Sequence, residues 1–411
     1  MKDWTILVYL AGDNDLEMDA HADLYEMTRA ESNDRLAVVV QFDGRRKGTI
    51  RYRVQHKQLE PLGDPLPETN TGDPAVLTNF VRWARETYQA QHYLLVLWNH
   101  GTGWQDVRAD FDWTSLQRGL TGRDLDHSMF ASTVRKANAR LHRDRAICLD
   151  ATSRDFLDNQ ELKRGLADAL QGDKVDVLGF DACLMGMIEI GYQLRDQAQF
   201  MVASQEVEPR FGWPYESILR TLYQNPGMTP REVSALIVAA YGQMGVKERA
   251  PTKYTQSALD LNQVGATFTL VQTLAARLEP TYPNDLMVRR AIDEAAGLRR
   301  GAKRFRDDRS VDFYDWLGRV RRVYQGTDSA FLAAVDGLLA HLAAKAAGGL
   351  VVDSIAEVGD DREQVHGASI YLPVKKKGDK QGDVFSALYL DLDFAETGWG
   401  QFAKKVSENV K

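Results

Sequence analysis

The chain has 411 residues, 44% of them hydrophobic and 27% charged, which suits a soluble globular protein built as one large domain with an appended portion or as two domains. A formal net charge of -7 and an isoelectric point near 5.7 exclude a general nucleic-acid binder. Cys148 and Cys183 are too few for a disulfide scaffold, no closely spaced Cys/His set suggests zinc, and no apolar run approaches membrane-spanning length.

Met1-Lys2-Asp3-Trp4 lacks the apolar stretch of a signal peptide, so a cytoplasmic location is the default expectation unless a leader has been trimmed. Thr5 to Gly12 and Ala37 to Gly44 are apolar runs that read as strands, and Asp15 to Ala30 between them has helical spacing, giving a β-α-β opening. Ile50 to Gln55 alternates like an edge hairpin strand. Asp73 to Ala90 reads as a helix feeding the strand that ends Leu94-Leu95-Val96-Leu97-Trp98-Asn99-His100-Gly101. Thr102 to Arg145 is polar and broken, far longer than an ordinary connection, and is expected to be a functional or disordered loop.

Order resumes at Ala146-Ile147-Cys148-Leu149, followed by a helix from about Asn159 to Leu170 and the strand Val175 to Asp181. A helix is predicted from near Leu184, then a short strand at Phe200 to Ser204. Thr229 to Ala347 is mostly helical, with one strand-like interruption at Ser257 to Leu261. Gly367 to Pro373 is a late strand ended by proline, and Lys375-Lys376-Lys377 reads as a solvated loop. The expected organisation is a core over 1–215, a mostly helical portion over 216–365, and a late strand returning to the core sheet within 366–411.

Two of these apolar runs read as buried strands of a parallel sheet and end on reactive groups, His100 and Cys183. A free thiol has a pKa of about 8.5, so a nucleophilic cysteine needs help in ionising. A helix starting just after Cys183 would favour its thiolate. His100 can act as general base or acid. The backbone N–H groups of Gly101 and Cys183 are candidate oxyanion donors. Cys148 lies within an apolar strand core and reads as packing. The remaining histidines have no partner spacing.

Tyr9-Leu10-Ala11-Gly12-Asp13-Asn14-Asp15-Leu16-Glu17, Trp98-Asn99-His100-Gly101 and Gly179-Phe180-Asp181-Ala182-Cys183-Leu184-Met185 resemble the clostripain family of cysteine peptidases. So do Ala203-Ser204-Gln205-Glu206, Gly212-Trp213-Pro214-Tyr215 and the late strand. The resemblance implies a caspase-like three-layer α/β/α sandwich with a mostly parallel sheet and a largely helical C-terminal portion. It also implies a dyad of His100 and Cys183, cleavage after Arg and then Lys through a thioester, and synthesis as a zymogen cut between His and Cys. Some members are calcium-dependent.

Recognition of a guanidinium requires a carboxylate. Asp181 is the first candidate, on the Cys183 face by the two-residue period of a strand, although it could instead orient local backbone. Glu206 and Glu208 are the next candidates, with solvation in a loop as their plainer reading. Processing candidates are Arg135, Lys136, Arg140, Arg143 and Arg145, cut by the enzyme itself or by another protease, with a basic surface helix as the alternative.

Asp13, Asn14 and Asp15 could contribute to a Ca²⁺ site, but helix capping is the favoured reading, so no cofactor is required and no metal ligand is assigned. The expected partner is a protein or peptide with Arg or Lys before the scissile bond, acting on a monomer, with neither nucleic acid nor membrane involved. A non-catalytic caspase-like module that binds a basic peptide is the main alternative. A nucleotide-binding protein is disfavoured because Ala11-Gly12-Asp13-Asn14 puts carboxylates where phosphates need donors.

Overall fold

The computed structural model describes residues 1–45, 48–106, 145–209, 211–247, 254–298, 301–305, 309–357, 364–376 and 384–410. The first half runs β1 (Lys2–Ala11), α1 (Glu17–Met27), β2 (Leu36–Gly44), β3 (Gly48–Gln55), β4 (Gln58–Pro61), α2 (Pro74–Thr87), β5 (Ala90–Trp98) and β6 (Gly101–Asp106). Then come β7 (Arg145–Asp150), β8 (Asp155–Leu157), α3 (Asn159–Leu170), β9 (Val175–Asp181), α4 (Ile188–Gln193), β10 (Ala198–Ala203), α5 (Tyr215–Gln224) and α6 (Pro230–Lys247). The remainder comprises β11 (Tyr254–Asp260), α7 (Val264–Thr281), α8 (Leu286–Ala296), β12 (Ser310–Asp312), α9 (Phe313–Val323), α10 (Ser329–Leu342), β13 (Val351–Glu357), β14 (Ser369–Tyr371) and α11 (Trp399–Asn409).

Nine strands form the central sheet in the order β13-β11-β10-β9-β5-β1-β2-β3-β4. The five central strands β10, β9, β5, β1 and β2 are parallel, while antiparallel strands finish both edges. Alternation along β1 explains the layering. Trp4, Ile6, Val8 and Leu10 pack with α1, α5 and α6, whereas Leu7, Tyr9 and Ala11 face α2, α3 and the C-terminal helices. The result is the caspase-like three-layer α/β/α sandwich, both faces of its sheet buried as parallel strands require.

Helix starts follow local chemistry. Asp73 accepts the Ala75 amide ahead of Pro74 at the first turn of α2. Asp158 and Glu161 form a reciprocal capping box on α3.

The structure departs from the sequence reading in several places. The helix expected near Leu184 begins only at Ile188, and Leu184 takes a left-handed conformation at φ 64°. The region 216–365 carries, besides its helices, β11 and β13, which extend the central sheet. β13 was not anticipated: it is an edge strand whose residues from Asp353 onward are only partly buried, so its pattern is weak. The late strand does not return to the core sheet. β14 pairs with β12 in a two-stranded ribbon and touches the core through a bridge from Ser369 to Met187. β6 and β7, at the two ends of the expected long loop, are paired antiparallel strands. Arg145 opens β7, whereas Arg135, Lys136, Arg140 and Arg143 lie outside the described residues.

Candidate active site

β5 and β9 are adjacent and parallel, with Trp98 in register with Asp181. His100 and Cys183 therefore leave the same edge of the sheet, each two residues beyond that pair. The crossing is tight. A Cβ added to Gly101 would lie only 2.4 Å from the Cys183 carbonyl oxygen, so glycine is the residue that lets the two chain exits approach.

Asn99 ties this edge together. Its side-chain amide donates to the carbonyls of Ala11 and Leu149, and its Oδ1 accepts the amides of His100 and Leu149. The ends of β1, β5 and β7 are thus fixed around His100. His100 is itself buried, and its Nε2 lies 2.7 Å from Asp15 Oδ1. An ionised carboxylate can only accept, so this contact places the imidazole proton on Nε2 and fixes the orientation of the ring. Sequence reasoning missed this partner.

The available signal was the polar Asp13-Asn14-Asp15 turn after β1, the strand next to β5. The capping role expected for that turn is not realised. The residue before α1 is Leu16, which gives no side-chain cap. Asn14 Oδ1 instead accepts the Leu16 amide, and Asp13 and Asp15 turn to other partners.

Cys183 is 7% exposed, and its Sγ accepts the Glu208 amide at 3.3 Å. Burial pushes its thiol up, and the charges of Glu208, Glu206 and Asp181 add to the shift. The helix terminus expected to ionise the thiol is absent from this position, since α4 starts five residues later. Cys148 is fully buried in the α2/α3 layer and is raised by burial alone.

The structure brings the three candidate acids together around Cys183, and none of them is solvated. Asp181, Glu206 and Glu208 are 5%, 6% and 8% exposed. Asp181 Oδ2 accepts the Trp213 amide and the Tyr215 hydroxyl, so this carboxylate does orient local backbone. Glu206 Oε1 accepts the amide of Val207. Glu208 Oε1 accepts from Gln256, and its buried Oε2 makes no well-formed hydrogen bond, although Asp181 and the Trp213 side chain lie close enough to act on this carboxyl.

A fourth carboxylate, Asp23 of α1, joins Asp181 from the same face of the sheet and accepts the Trp98 indole N–H at 2.7 Å. Burial and the Asp181 charge push Asp23 well up. Burial likewise raises Asp181 to about 6 and Glu208 well above the usual carboxylate range. Asp23 was invisible to a motif search because it sits in an ordinary-looking helix.

A parallel α/β/α sandwich with a thiol and a carboxylate-backed imidazole at neighbouring strand ends has the architecture of a caspase-like thiol hydrolase. A family model described as the Clostripain family matches residues 8–118 and 132–321. Clostripain of Hathewaya histolytica is 26% identical over 340 residues, which cover 71% of this chain and 55% of that protein, so the chain spans about half the length of this curated relative.

A secreted C11 cysteine protease from Bacteroides thetaiotaomicron, solved with an irreversible peptide inhibitor, superposes with a TM-score of 0.63 at 18% identity, covering 97% of this chain and 99% of that one. An inactive zymogen C11 protease from Parabacteroides distasonis gives a TM-score of 0.62 at 16% identity, covering 97% and 98%. The chain belongs to the clostripain family of cysteine peptidases. No helix of the described residues is long and apolar enough to cross a membrane.

Proposed function

We propose that the protein is an endopeptidase that cleaves after Arg, and less readily after Lys, with Cys183 as nucleophile and His100 as proton carrier. The observation that carries this reading is the Trp98/Asp181 register, which delivers His100 and Cys183 side by side at one edge of the sheet. In the reaction the Cys183 thiolate attacks the carbonyl carbon of the scissile bond, with the Gly101 and Cys183 amides as oxyanion donors. The C–N bond breaks, the leaving amine takes its proton from His100, and water then hydrolyses the thioester.

Basic specificity is supported by the buried acids beside the thiol. Asp181 has its donors within the protein, so Glu208, whose Oε2 makes no well-formed hydrogen bond, is the better candidate to receive a guanidinium, and Glu206 is the next. Burial is the main cause that raises the Cys183 thiol, and these acids add to it where they are ionised. A basic side chain bound there would neutralise them and ease ionisation. The buried thiol therefore suits a resting form that substrate or processing activates.

A cut within 102–145, made by the enzyme itself or by another protease, belongs to this reading. That stretch follows His100 directly, and the Parabacteroides distasonis relative is described as an inactive zymogen. The two cysteines are unpaired and buried, which suits the cytoplasmic location expected from the sequence, although the Bacteroides thetaiotaomicron relative is described as secreted.

The test is hydrolysis of peptides carrying Arg, Lys, Asp or Asn before the bond, by the intact and the cut chain. Arg turnover kept in Cys148→Ala and lost in Cys183→Ala by about 10⁴-fold or more supports the nucleophile. Turnover that survives Cys183→Ala, or a cut chain inert on every peptide, overturns the peptidase reading and leaves a binding module in its place.

A further inference from the structure

Cys183 belongs to neither of the two large apolar cores that cover the faces of the sheet. It forms a small cluster of its own with Leu184 and Phe305, against which Val207 and Val365 pack. Phe305 is fully buried, whereas the two valines are only partly so. A substrate carbonyl must reach a nearly buried sulfur, so the residues that share its cover are the ones the substrate meets. Three segments far apart in the chain supply them, and each is held in place by the protein itself.

The 204–208 segment runs beside the nucleophile. The Gly186 amide donates to the Ser204 carbonyl, the Leu184 amide to the Glu206 carbonyl, and the Glu208 amide to Cys183 Sγ. The segment leading into β14 joins the same turn, because the Ser369 amide donates to the Gly186 carbonyl. Asp312, buried at the junction of β12 and α9, ties the two segments together. Its carboxylate accepts the Gln205 side-chain amide at 3.1 Å and the His366 backbone amide at 2.7 Å, with the His366 ring 3.2 Å away. Gln205 Oε1 in turn accepts the Gly367 amide. Arg304 donates to the carbonyls of Ala296 and Leu372, which anchors Phe305 beside it. An apolar side chain can therefore bind among Val207, Val365 and Phe305 without first ordering a loop.

We infer that Val207 and Val365, backed by Phe305, form an apolar subsite for the substrate residue that precedes the basic one. The preferred cleavage sequence is then an aliphatic residue followed by Arg. This inference rests on the peptidase reading, and the strand order decides which side of the scissile bond is meant. β5, β9 and β10 are neighbours in the sheet, so His100, Cys183 and the 204–208 segment follow one another across its edge. The leaving amine takes its proton from His100 and lies on the β5 side. The acyl half lies on the β10 side, where Val207 stands between Glu206 and Glu208, the candidates for the guanidinium. The Gly367–Gln205 bond brings Val365 to that side as well. An aliphatic side chain there leaves water for apolar neighbours, whereas a carboxylate would be desolvated without a partner and beside other acids.

The test uses the form of the chain that turns over Arg peptides. One series of substrates shares a leaving amine and varies only the residue before Arg, as Leu, Ser or Asp; a second series varies the residue after Arg. In the first series kcat/KM for Leu should exceed that for Ser by about tenfold and that for Asp by about 10²-fold. Val365→Ser should narrow the Leu-to-Ser ratio to about threefold or less. Val365→Lys should raise Asp relative to Leu, a gain that misfolding cannot produce. Val207→Ser gives the same comparison if either variant fails to melt cooperatively. Arg turnover indifferent to the preceding residue overturns the subsite and leaves the peptidase reading standing. So does a preference carried only by the residue after Arg, or one that the valine variants leave unchanged. If no peptide of either series is cut after Arg, the peptidase reading fails and the subsite falls with it.

Discussion

Two buried acid groups flank the reactive edge, and they solve the same electrostatic problem differently. Around Cys183, Asp23 and Asp181 are held by protein donors: the Trp98 indole, the Tyr215 hydroxyl and the Trp213 amide. At the β1/β2/β7 ends, Asp13 and Asp43 each keep a buried oxygen that no protein donor reaches. The first arrangement is largely preformed and lacks one well-formed donor, at Glu208 Oε2, in keeping with a cationic side chain that comes and goes. The second lacks compensation at its centre, and Asp43 there is raised toward proton uptake. A buried acid cluster therefore says little until its donors are counted atom by atom.

The largest effect should come from the residue between the two groups. Asp15→Asn keeps the shape of the contact to His100 but allows the wrong imidazole tautomer, and should lower kcat by about 10³–10⁴-fold with little change in KM. A loss that appears in KM alone would assign Asp15 to substrate binding. Glu208→Gln should then lower kcat/KM for Arg peptides by about 10²-fold, the cost of removing one partner of a desolvated charge pair. Where Glu208 is ionised, at alkaline pH, the same change removes a negative charge that raises the thiol, so alkylation of Cys183 by neutral iodoacetamide should become faster there. Opposite signs in the two assays distinguish an electrostatic role from misfolding.

The second group predicts a pH effect. Burial, with the charges of Glu68, Asp150 and Asp13, raises Asp43 from an ordinary 3.8 to about 8. Between about pH 4 and pH 8 the native state therefore binds more protons than the unfolded chain, and stability contributed by this group falls as pH rises. A pH dependence unchanged in Asp43→Asn would separate the effect from Asp43. Asp43→Asn should raise the melting midpoint at pH 8 by about one degree, equivalent to about 1 kcal/mol, because it removes a charge that burial disfavours. The smallest change is expected for Glu68→Gln, within about 0.5 kcal/mol of the parent, since the side chain is exposed.

The legible parts of the fold were those where pattern and burial agree. The runs ending at Trp98 and Asp181 are continuously apolar because both faces of their sheet are covered, and they delivered His100 and Cys183 to adjacent ends. β13 was hidden because it is an edge strand whose outer half is only partly buried. The late strand was recognised as a strand but given the wrong neighbour, since Ser369–Tyr371 carries no mark of whether it joins nine strands or one. The helix after Cys183 was placed too early because Leu184 and Met187 fit helical spacing, while the left-handed turn at Leu184 leaves no such trace. The roles of Asp15, Asp23 and Asp43 depend on contacts between distant segments, which spacing alone cannot supply.

The order of strands has a consequence for any break of the backbone between 106 and 145. Strands from the two sides of that point meet along one seam: β9, β10, β11 and β13 continue the sheet from β5 outward, while Asn99 and Asn14 hold the Leu149 backbone. Neither fragment would possess a complete sheet, and separation would strip the long β5–β9 seam of its hydrogen bonds. A nicked molecule should therefore travel as one particle in native chromatography and fall into two polypeptides only in denaturant, its halves joined by the same seam whose ends carry His100 and Cys183.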